Sequence, residues 1–254
     1  RPAYAVAAIA LVVMTLWLLI DRALPVAVES IVARIPVEAE AALGRESLAG
    51  LDQYFLQPSG LSESRQARLR AKFEAVARAG AEPTPYRLEF RSSPAVGANA
   101  FALPSGIIVM TDELVKLARN DQEILAVLAH ELGHVRQRHT MRRLRESSAT
   151  ALIIAGVTGD IASTTSLAAA APTLLLQTKY SREHEREADA FAIELMRKSG
   201  IEPRHFAAIL GRLEGSAPRR GGVPGFLSSH PPTEEREALA RTGAVAAGSD
   251  VHRQ

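Results

Sequence analysis

The stretch His130-Glu131-Leu132-Gly133-His134 constrains this chain more than any other, because it sits in a well-marked helix and brings two ligating side chains to one face of it. Asn120 can cap that helix, and Glu123, three residues on, completes the pattern of a capping box. Ile124, Leu125, Val127, Leu128, Leu132 and Val135 supply its apolar face. Imidazoles at i and i+4 lie one turn apart, close enough to share one metal ion. Glu131 projects beside them, where a carboxylate can take a proton from a water activated by that metal. The spacing describes most of the active site of a zinc hydrolase. A chain with 7 histidines can produce the motif by chance, so the surrounding sequence has to carry the rest.

Catalytic zinc usually takes three protein ligands and leaves a fourth position open. The candidate third ligand lies in Ser181-Arg182-Glu183-His184-Glu185-Arg186-Glu187-Ala188-Asp189, which has the charge and alanine content of a helix. Glu185 and Asp189 are spaced i, i+4, so a helix presenting Glu185 to a metal aims Asp189 the same way. Asp189 can then accept a hydrogen bond from the far nitrogen of a ligating histidine and fix its tautomer. Glu183 and Glu187 are read as solvated. Of the other histidines, His139 is read as off the metal face and His184 as on the wrong side of its helix. His205 and His252 have no partner pattern, and all four are left out of the ligand set.

Four blocks of this sequence resemble peptidase family M48, a group of gluzincin metallopeptidases. His130-Glu131-Leu132-Gly133-His134 matches the family's metal helix, and Glu185-Arg186-Glu187-Ala188-Asp189 its Glu-x-x-Ala-Asp element. Asn99-Ala100-Phe101-Ala102-Leu103-Pro104-Ser105-Gly106 resembles the segment just ahead of the metal helix, with Ser105 where a glycine is common, a departure that bears on the turn geometry. His230-Pro231-Pro232 with Arg236 resembles an element near the family's C-terminus. The resemblance implies one Zn2+ per subunit held by His130, His134 and Glu185, with Asp189 behind a ligand and Glu131 as general base. It also implies a zinc-proximal role for His230, either stabilising the oxyanion or occupying the open position until its loop moves.

The resemblance and the patterning together predict an α+β fold, mainly helical and zincin-like, with a small antiparallel sheet. Residues 62–80 read as a helix capped by Ser62, striped with Leu69, Phe73 and Val76 and ended by Gly80. Tyr86-Arg87-Leu88-Glu89-Phe90 alternates as a strand does, and Pro104-Ser105-Gly106 marks a turn between two more short strands. In folds of this kind an edge strand lies over the metal helix and can pair with an extended substrate backbone.

Residues 3–20 carry no charge and end in Asp21-Arg22, which is about the length needed to cross a bilayer. Trp17 suits an interfacial position. The expected organisation is a transmembrane anchor over 1–22, a helical connector over 23–60 broken by prolines, and a peptidase domain over 61–254. Residues 151–177 are apolar but interrupted, and read as two packed helices rather than a second span. Residues 216–232, rich in Gly and Pro, read as a mobile loop that delivers His230. The expected setting is the bacterial inner membrane, single-pass, with the peptidase domain facing the periplasm and protein or peptide substrates. A formal net charge of +2 leaves no electrostatic footprint for nucleic acid, and with no cysteine there is no disulfide framework or thiolate site. The competing reading is a latent or chaperone-like binding module on the same scaffold; a further one is a structural zinc site closed by His230.

Overall fold

The computed structural model describes residues 37–144, 179–216 and 226–230, together with Leu11, Met14, Thr15, Trp17 and Leu18. The expected anchor thus falls mostly outside the described residues, as do 151–177 and most of 216–232. Among the described residues, no helix is long and apolar enough to cross a membrane.

Helix α1 (Val37–Tyr54) is followed by the short strand β1 (Gln57–Pro58) and helix α2 (Glu63–Arg78). Ser62 caps α2 by accepting from the Arg65 N–H at 3.3 Å, and Leu69, Phe73 and Val76 are its buried residues. Strand β2 (Arg87–Ser92) precedes β3 (Ala100–Ala102), a 3-10 turn at Pro104–Gly106 and β4 (Ile107–Thr111). Helices α3 (Asp112–Leu117), α4 (Asp121–Arg136), α5 (Arg182–Lys198), α6 (Arg204–Ser216) and the one-turn α7 (Phe226–Ser229) complete the described elements.

The sheet runs in the order β1-β2-β4-β3 and is mixed, which corrects the antiparallel expectation. β1 pairs antiparallel with β2, and β3 forms the expected hairpin with β4, but β2 and β4 run parallel, with Leu88 opposite Ile108 and Phe90 opposite Met110. The reason lies in β4, Ile107-Ile108-Val109-Met110-Thr111, which is buried at every position. A strand apolar on both faces belongs in the middle of a sheet, so it inserts between β2 and its own hairpin partner, and β3 becomes the edge.

Each face of β4 is covered by a different layer. Ile108 and Met110 join Leu69 and Phe73 of α2, Ile124 and Leu128 of α4, Met196 of α5 and Phe206 of α6. Ile107 and Val109, one residue out of phase, join Leu48 and Leu51 of α1 with Phe101 and Leu103. Each such buried side chain contributes about 1.5–3 kcal/mol, so α1 holds the sheet from behind as α4 holds it in front.

Helix α4 is the central element: every residue from Glu123 to His134 is buried. Asn120 caps it, accepting from the Glu123 N–H at 3.0 Å. The reciprocal bond of the capping box is displaced by one residue, since the Glu123 carboxylate accepts from the Arg119 N–H at 2.8 Å and pairs with Arg212 of α6. Glu123 therefore ties α6 to the start of α4.

Candidate metal centre

The last turn of α4 meets the first turns of α5 where both are smallest. A Cβ built on Gly133 would lie 2.9 Å from the Ala188 Cα and 3.0 Å from its carbonyl oxygen. That close crossing carries His130 and His134 on one helix to Glu185 and Asp189 on the other. The Nε2 atoms of His130 and His134 are 3.0 Å apart, and each is 3.6 Å from an oxygen of Glu185. All of these side chains are buried.

His230 completes the cluster from the far end of the chain. The α7 turn places it: the His230 N–H donates to the Phe226 carbonyl at 2.9 Å, and Tyr180 N–H donates to the Ser229 carbonyl at 3.0 Å. The Phe226 ring stacks on the His230 imidazole with centroids 4.3 Å apart. His230 Nδ1 then lies 2.9 Å from Glu185 Oε1 and 3.3 Å from His130 Nε2, while its Nε2 is 3.5 Å from Glu131 Oε1. Glu131 itself is fully buried beside the cluster.

Behind the clustered nitrogen and oxygen atoms lies a second layer of polar contacts. His130 Nδ1 is 2.9 Å from Asp189 Oδ1. His134 Nδ1 is 2.9 Å from His139 Nδ1, and His139 Nε2 is 2.8 Å from Glu187 Oε2. Burial pushes the His139 imidazolium down to about 4, so the ring is neutral at pH 7. Tyr180 stacks on His134 at 3.9 Å, and burial raises its phenol above the ordinary value. The Tyr180 hydroxyl is 3.0 Å from that of Thr140, which donates to the Ala102 carbonyl at 2.8 Å and so links the site to the edge strand.

The donor set fits a divalent zinc ion. One ligand atom from each of His130, His134, Glu185 and His230 lies within 4.8 Å of the others. Atoms bound tetrahedrally at about 2.0–2.1 Å stand about 3.3 Å apart, which the observed separations bracket. Two imidazoles and a carboxylate are the ligand types zinc accepts, and no thiolate is needed. The helix ends agree, since His134 lies in the last turn of α4, which favours a cation, and Glu185 in the first turn of α5, which favours an anion.

Residues 63–242 match the sequence model of peptidase family M48. The chain belongs to that family. It is 30% identical over 179 residues to the beta-barrel assembly-enhancing protease of Escherichia coli strain K12, covering 66% of this chain and 36% of the relative. Metalloprotease YcaL of the same strain is 34% identical over 143 residues, covering 54% of this chain and 55% of the relative. The mitochondrial metalloendopeptidase OMA1 of Saccharomyces cerevisiae is 31% identical over 152 residues, covering 57% and 43%. The chain thus spans between about a third and about half the length of these relatives.

Within this M48 domain, the structure brings together all six residues singled out from sequence: His130, Glu131, His134, Glu185, Asp189 and His230. One other reading needs correction: Glu187 is held between His139 and Arg142 rather than simply solvated. His139 is off the ligand positions, as read, and is fully buried and joined to His134. The cause is the end of α4: the chain turns at Gln137 and Arg138, with Arg138 at φ 53, and folds His139 back toward the site. An extended helix would have carried it away, and neither Gly nor Pro marks the break. His184 packs face to face on His139 at 4.3 Å, outside the ligand set as expected. Tyr180, with no motif around it, had no sequence signal.

Proposed function

We propose that this chain is a zinc-dependent endopeptidase that hydrolyses peptide bonds in protein substrates, with His130, His134 and Glu185 as metal ligands and Glu131 as general base. The observation that carries the reading is the convergence of those three ligands on one buried point, with Glu131 beside it. Zinc bound there would supply Lewis acidity, polarising the scissile carbonyl and making water nucleophilic near neutral pH. Glu131 takes the proton from the attacking water and passes it to the leaving amine. Asp189 holds the His130 ring by its Nδ1–H, so Nε2 keeps its lone pair toward the centre.

The substrate backbone adds to β3. Leu103 N–H donates to Ile107 O and Thr111 N–H to Asn99 O, so residues 99, 101 and 103 face β4, while Ala100 and Ala102 turn their backbone groups away from it, the Ala102 carbonyl accepting from Thr140. An extended peptide can pair with the β3 edge. His230 acts as a gate at the fourth ligand position, supported by its Nδ1 standing 3.3 Å from His130 Nε2 and 2.9 Å from Glu185. The gated state is a latent one.

The uncharged run at 3–20 anchors the domain in a membrane, with substrates among envelope proteins, a setting in keeping with the name of the beta-barrel assembly-enhancing relative. A binding module that does not cleave has no chemical use for Glu131 between its ligands, which favours the peptidase. Chelator-sensitive cleavage of casein by the parent and by Glu131→Gln tests the assignment. The variant should retain zinc and lose cleavage by about 10²- to 10⁴-fold. Parent-level turnover in Glu131→Gln would refute the role.

A further inference from the structure

Two carboxylates set the two imidazoles of this site, one directly and one through an intervening ring. Asp189 does so for His130. For His134 the connection runs Glu187 Oε2 to His139 Nε2 at 2.8 Å, then His139 Nδ1 to His134 Nδ1 at 2.9 Å. We infer that His139 and Glu187 are positioning residues that fix the tautomer and orientation of His134, so that its Nε2 presents a lone pair to the metal centre. The inference rests on the zinc reading above.

The polarity of the chain follows from its end. A carboxylate only accepts, so His139 Nε2 carries the hydrogen. With that hydrogen on Nε2, His139 offers the lone pair of Nδ1 across the 2.9 Å contact, and His134 Nδ1 donates to it. His134 Nε2 is left as a bare acceptor, facing His130 Nε2 at 3.0 Å and Glu185 at 3.6 Å. The reverse polarity would set a lone pair of His139 against the Glu187 carboxylate.

The surroundings hold the ring in that pose. His184 stacks on one face of His139 with planes 24° apart, and the left-handed Arg138 turns the backbone into position. Arg142 lies 3.4 Å from the same Glu187 oxygen and keeps it on station. A buried histidine present only for packing would need neither an aligned carboxylate nor a nitrogen aimed at a ligand.

The test is zinc affinity by chelator competition on the full chain, for the parent, His139→Leu, His139→Asn and Glu187→Leu, with thermal melts of the metal-free forms to verify folding. His139→Leu and Glu187→Leu should bind zinc about 10- to 100-fold more weakly, the range for loss of a partner behind a ligand. His139→Asn should stay within a few-fold of the parent, roughly a lost hydrogen bond's effect at most, because its Oδ1 can accept where Nδ1 did. Because Glu187 is 35% exposed, its replacement leaves the core in place even if His139→Leu fails to fold. Parent-like affinity in folded Glu187→Leu or His139→Leu, or His139→Asn as weak as His139→Leu, would overturn the inference while leaving the metal centre standing. A parent that takes up no zinc would overturn both.

Discussion

His130, Glu131 and His134 could be read from the sequence because their relation is local: five residues and the pitch of a helix decide it. Ser105 shows a second local relation, read as a departure in the turn ahead of the metal helix. It lies at φ 61, ψ 20, next to Gly106 at φ 81, so a side chain occupies a left-handed position where glycine is at ease. That conformation costs a non-glycine residue about 1–2 kcal/mol. Glycine's extra loss of chain entropy offsets about 0.5–1 kcal/mol of the relief. Ser105→Gly should therefore raise stability by roughly 0.5–1 kcal/mol in urea melts, with the zinc site unaltered. The contact between His139 and Glu187 escaped sequence reading because the placement of His139 depends on a single left-handed residue, Arg138, that no Gly or Pro announces.

At the scale of elements, capped helices and the hairpin were legible and strand pairing was not. Ser62, Asn120 and the Leu69, Phe73, Val76 stripe are local signals, and each is present in the structure as read. Which hairpin strand joins β2 depends on both faces of β4 finding cover, a property of helices distant in sequence. The crossing of α4 and α5 makes a sharper demand. Gly133→Val gains a side chain with no room beside Ala188, forcing the helices apart where the candidate ligands meet. Such overpacking costs about 1–3 kcal/mol, against only about 0.3–0.5 kcal/mol gained in helix propensity from Gly to Val, so the melt should fall and zinc affinity with it. The α7 turn carries its own prediction. If His230 gates the site, His230→Ala should cleave a model peptide faster than the parent at equal zinc content; a loss of activity would assign it to the oxyanion instead. Unchanged activity would exclude both roles.

For the whole molecule, the layered build explains why function concentrates at one point. Sheet, α1 and α2 form a frame around α4, α5 and α7 close over its C-terminal end and α6 packs along it from His130 back to Glu123, so the candidate ligands come from segments far apart in sequence yet share one buried centre. Several carboxylates and imidazoles buried together are costly without a cation, so metal should stabilise the fold. At a zinc concentration about 1,000 times the dissociation constant, the stabilisation is about 4 kcal/mol, readable as a rise in melting temperature over the chelated protein. The most direct test of the account is the metal content of the purified chain beside that of Glu185→Ala, by mass spectrometry at matched protein concentration. The parent chain should carry about one zinc and the variant little. Equal zinc in both, or none in the parent, would contradict it.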